Sequence, residues 1–179
     1  MKHCLLFGFI SALACAFVTL VLFFAGFHSD VSKLGAANAI GGIADLAIGV
    51  TCMVLGTKAV REDNPPDEAF GYGRALWASF RVAVVSSLLS TVFSYCYFAF
   101  INPGFSDVLL QDKMAKLEAS GASGARLEQA EAMTKMFLAP GPAALFGLVF
   151  GLIFGLVFAL IVAAFLKRAA QAAPLPPAL

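Results

Sequence analysis

Four predominantly apolar runs, each more than twenty residues long, constrain this chain more than any other feature. A helix rises 1.5 Å per residue, so about 20 apolar residues cross the roughly 30 Å hydrocarbon layer of a bilayer. The runs at 4–27, 34–57, 78–100 and 143–166 meet that length. Within lipid every backbone N–H and C=O must be paired inside the segment, which leaves the helix as the form such runs take. The expected fold is all-α: one polytopic membrane domain over 1–179 with four transmembrane helices. Charged residues make up 13% of the chain, about half the share of a soluble domain, which agrees with that reading. The 12 basic and 11 acidic residues nearly cancel, so no basic surface for nucleic acid is indicated.

The connections differ in kind. HSDVSK between the first two runs is short, and Ser29, Asp30 and Ser32 can cap the helix that follows. Lys2, Lys58, Arg61, Arg74, Lys167 and Arg168, with Arg81, fall on one side of a four-span threading. The positive-inside rule then puts both termini in the cytoplasm. The connection after the third run is too long for a structureless loop. Leu110, Met114 and Leu117 recur at helical spacing after Ser106, a candidate cap, and Leu127, Ala130, Met133 and Phe137 recur again after SGASG. An external amphipathic helical hairpin over 105–138, between the third and fourth helices, is expected, ended by Pro140-Gly141-Pro142.

The fourth run contains GLVFGLIFGLVFAL, which sets Gly147, Gly151 and Gly155 on one ridge. Lipid tails are as apolar as leucine, so helices in a membrane associate by close packing and interhelical hydrogen bonds, and small residues permit the approach. The ridge is expected to receive another helix, of this chain or of a second copy. The second run carries Gly35, Gly42, Gly49 and Gly56 every seven residues, with Asn38, Asp45 and Cys52 between them. A 3.5-residue repeat suits left-handed packing, and the cost of showing Asn38 and Asp45 to lipid predicts that this seam faces inward. Ser79, Ala83, Ser86, Ser90 and Ser94 form the matching stripe on the third run. Counting residues places Asp45 level with Ser86 and Ser90, so their hydroxyls are expected to bond it. The same count leaves Arg81 about 13 Å away along the membrane normal, where snorkelling to the interface is favoured.

Catalytic constellations do not assemble from these residues. His3 and His28 lie at opposite ends of the first run, and Asp45 is the single carboxylate at membrane depth. Phosphate loops, CxxC pairs and metal-ligand spacings are missing, so no cofactor, no metal and no enzymatic activity are expected. Cys4, Cys15, Cys52 and Cys96 all lie in apolar runs, as small hydrophobes do. Ala12-Leu13-Ala14-Cys15 has the outline of a lipoprotein cleavage box, but the run continues to Phe27, longer than a signal peptide's core.

GTKAVRED closing the second run, FGYGRA opening the third, INPGF after it, KMAKLEASGASGARLEQAEAMTKMF and the terminal LKR together resemble a known family. It is a family of small bacterial inner-membrane proteins catalogued as domain of unknown function forty-one ninety-nine. The resemblance covers 56–168, the first two runs matching in hydrophobicity alone. It implies a four-span inner-membrane protein and carries no activity with it. Two functions remain open: a non-enzymatic structural, assembly or regulatory protein that packs against a second copy or a membrane-protein partner, and a small oligomeric transporter or channel using Asp45 as a proton or cation site.

Overall fold

A computed structural model describes residues 1–65 and 67–169. Six α-helices follow in order: α1 (Lys2–Phe24), α2 (Val31–Glu62), α3 (Tyr72–Cys96), α4 (Phe105–Ala119), α5 (Ala125–Leu138) and α6 (Pro140–Leu166). Among the described residues there is no strand, and Phe70 and Arg168 form an isolated antiparallel bridge. Helices α1, α2, α6 and the segment Tyr72–Ile101 are each long and apolar enough to span a membrane.

Several boundaries differ from those expected, for local reasons. Helix α2 runs 32 residues, because Lys58, Ala59, Val60, Arg61 and Glu62 form helix readily although they are too polar to count as membrane span. Helix α3 starts at Tyr72, within the polar connection, and ends in a π-helical turn, Tyr97–Ile101. Asp30 caps α2 as expected, its carboxylate accepting from the Ser32 N–H at 2.9 Å. Ser106 is not a cap: Gly104 stands at that position, and the Ser106 hydroxyl donates to the Leu138 carbonyl at 3.0 Å. That bond sets the start of α4 beside the end of α5, and the two helices lie against each other. Pro140 occupies the first turn of α6, where its missing N–H would be unpaired anyway.

Helix α3 is central. It packs most extensively on α6, then on α1, and less on α2. Ala75, Ala159 and Ala163 are fully buried in these contacts. Short side chains let the backbones approach, which is how membrane helices gain contact energy. Large apolar side chains such as Phe17, Phe24, Ile43, Val92, Phe100 and Phe165 point outward.

Candidate functional site

Helices α2 and α3 touch at their two ends and part between them. At one end the Thr57 and Ser79 hydroxyls, both fully buried, hydrogen-bond at 2.7 Å, and Met53 packs with Ala83. At the other, Leu34 is buried against Tyr97 and Phe105. Between them lie two cavities, and Asp45 lines both. The first, about 270 Å³, is bounded by α2, by Ser86 and Ser87 of α3, by Gly151, Phe154 and Phe158 of α6, and by Ser11 of α1. The second, about 220 Å³, lies between Cys15 and Thr19 of α1, Ser90 and Ser94 of α3, and Phe105.

The expected bonding of Asp45 by serines is replaced by another arrangement. The Ser86 hydroxyl donates to that of Ser11 at 3.1 Å. Ser90 of α3 and Cys15 of α1 share the second cavity with Asp45. The α2 seam is divided in orientation. Gly35, Asn38, Gly42 and Asp45 are exposed at the surface of the single chain, and nothing lies within 4 Å of a Cβ built on Gly35, Gly42 or Gly49. Cys52 and Gly56, at the far end of the same seam, are buried, whereas near the start of α2 the neighbouring Leu34 and Ala37 take the buried positions. Leu34 and Gly56 fill contacts at the two ends, and those contacts set the rotation of the helix.

The glycines of α6 divide. A Cβ on Gly155 would meet that of Ala83 at 2.7 Å, and one on Gly151 would meet Ser87 Oγ at 2.9 Å, whereas Gly147 faces open space. A Cβ on Gly56 would stand 2.9 Å from Val82 and close to Phe7, and one on Gly8 of α1 would meet Val85. Gly8 stands alone in the sequence without a partner glycine four or seven residues away, so no spacing marked it.

A family model described as a protein of unknown function, DUF4199, matches residues 6–168. The chain belongs to the DUF4199 family. The match takes in the first two spans as well, beyond the part in which motifs were recognised. No curated protein and no solved structure matches the chain. With four helices of spanning length in one family domain, this DUF4199 chain is an integral membrane protein.

A second polar group in the DUF4199 chain was not legible beforehand. His28, only 7% exposed, pairs through Nδ1 with the Tyr97 hydroxyl, which also accepts from the Asn102 amide at 3.1 Å. The Phe105 ring stacks on the imidazole at 4.4 Å. Burial holds the His28 pKa below its ordinary 6.5. This knot ties the α1–α2 turn to the end of α3 and the start of α4, and its members are spread over 78 positions of sequence, 105 − 28 + 1.

The opposite end of the bundle is closed by polar contacts near the termini. His3 Nε2 lies 2.9 Å from Asp63, and Arg74 bonds Glu68 at 3.0 Å. Phe70 and Arg168 exchange both backbone hydrogen bonds, and Arg168 Nη2 donates to the Asn64 and Pro65 carbonyls at 3.2 Å each.

Proposed function

We propose that this protein is a non-enzymatic assembly protein of the bacterial inner membrane that associates with a second copy of itself through α2. The observation that carries the reading is the exposed seam Gly35, Asn38, Gly42 and Asp45, where nothing lies within 4 Å of a Cβ built on either glycine. An amide and a carboxyl facing lipid are costly, and a partner helix relieves the cost. A second α2 is self-complementary: its glycines admit close approach, its repeat of seven suits left-handed crossing, and a lone Asn in such a seam fixes register. Size measurement in detergent and in nanodiscs tests it. Gly42→Leu should convert the assembly to monomer while helicity is kept; an assembly unaltered by Gly42→Leu refutes the reading. A monomeric wild type that crosslinks in native membranes to a different protein refutes the second copy and favours a membrane-protein partner.

A second reading, a small oligomeric transporter or channel, is favoured by one fact: Asp45 borders both cavities. Intramembrane carboxylates mark ion paths. Proton or cation flux in reconstituted vesicles that disappears in Asp45→Asn would establish it.

The basic residues near both termini support a cytoplasmic placement for them and an external one for α4 and α5. Labelling of an introduced Ser123→Cys by an impermeant thiol reagent, from outside intact cells, is the expected result. Protection of that cysteine would reverse the topology.

A further inference from the structure

We infer that the groove between α1 and α3, at the end of the bundle where α1 begins and α6 ends, binds one anionic glycerophospholipid, with Arg81 on its phosphate. Two cavities meet there. One of about 290 Å³ is bounded by Arg74, Trp77, Arg81, Asp63 and Phe70. The other, of about 230 Å³, runs along the membrane-facing surface beside Leu5, Phe80, Val84 and Val85. They share Met1, Cys4, Trp77 and Arg81, so a polar chamber opens into an apolar channel across one arginine.

The charges in the chamber are unequally satisfied. Asp63 is taken by His3, and Arg74 by Glu68 and by Asn64 Oδ1 at 2.8 Å. Arg81 takes part in none of the ion pairs or side-chain hydrogen bonds among the described residues. Its guanidinium lies 5.0 Å from the centre of the Trp77 ring, which holds it in place without neutralising it. Because Arg81 borders the same chamber as Met1, it sits at the level where α1 begins. A half-buried guanidinium at that depth needs an anion, and its planar fork matches two phosphate oxygens. Basic pockets between membrane helices take anionic headgroups in this way. The apolar channel below selects a lipid over a free phosphate, since only a lipid brings an acyl chain to fill it.

Trp77 is the sole tryptophan and therefore reports on the site. The full chain is reconstituted in phosphatidylcholine vesicles with a minor share of either phosphatidylglycerol or phosphatidylcholine brominated in the upper acyl chain. The brominated anionic lipid should quench Trp77 with about a fivefold higher association, the equivalent of about 1 kcal/mol for one basic group at an anionic interface. In Arg81→Gln, with helicity unchanged, that ratio should fall to about unity, and Arg81→Lys should lie between. Equal quenching of the wild type by both lipids overturns the site, as does a preference retained in Arg81→Gln. Loss of the preference on adding inorganic phosphate, but not chloride of equal ionic strength, reassigns it to a free anion and overturns the lipid. Native mass spectrometry of the wild type from mixed-lipid nanodiscs needs no variant: a retained phosphatidylglycerol adduct is expected, and its absence overturns the proposal.

Discussion

Gly8 of α1 lies so close to Val85 of α3 that a Cβ added to the glycine would stand 2.6 Å from the valine Cβ. Real Cβ atoms do not approach that closely, and Val85 is branched at the atom concerned, so it cannot swing aside. Gly8→Ala should therefore force α1 and α3 apart, although alanine is the better helix former. Overpacking of this kind costs about 1 to 3 kcal/mol. A lowered melting temperature in detergent is the expected outcome.

The three glycines of α6 should respond unequally. Gly155→Ala presses on the Ala83 Cβ, which has nowhere to move, while Gly151→Ala presses on a serine hydroxyl that can rotate. Gly147→Ala meets nothing within 4 Å and should gain up to about 1 kcal/mol of helix propensity. Melting temperatures should fall in the order Gly147→Ala, Gly151→Ala, Gly155→Ala. Gly151→Leu should be more damaging than Gly151→Ala, because it reaches past Ser87 into the α3 backbone.

His28 makes stability depend on acidity. Its folded-state pKa lies below the ordinary 6.5 because burial disfavours the imidazolium. At pH values above 6.5 both states are neutral and the group has no effect. As pH falls below 6.5 the unfolded chain takes up a proton that the folded chain resists, so stability decreases until the folded pKa is passed. Melting temperature measured from neutral pH downward should show that decline, and His28→Gln should flatten it.

Arg168 fastens the chain after α6 to the segment after α2 through two carbonyls. Arg168→Ala should leave the four spans folded and loosen the polar end. Faster proteolysis between Asp63 and Gly71, at unchanged helicity, is the measurable result. Arg168→Lys should restore part of the protection, because both bonds leave the single Nη2 and one ammonium also carries two donors.

Four spans were legible from the chain itself because lipid leaves the backbone one way to pair its polar groups and the lengths of the apolar runs report that directly, and two further helices from the helical spacing of apolar residues in the long polar connection. The family was legible too, in motifs such as GTKAVRED and FGYGRA. Which face of each helix turns inward was not. In water the apolar stripe identifies the buried face, but in lipid both faces are apolar and hydrophobicity is silent. The heptad of Gly35, Gly42, Gly49 and Gly56 had the pattern of one packed seam, yet only Gly56 packs closely on neighbouring helices, while Leu34 fills the site at the other end of α2 and leaves Gly35 and Gly42 outward. Gly8 and His28 carried no periodic signal, since their partners Val85 and Tyr97 lie 77 and 69 positions away, 85 − 8 and 97 − 28. Membrane length and segment order are local properties of a chain, whereas helix rotation depends on which side chains from distant segments fit one another, and only the packed bundle decides that.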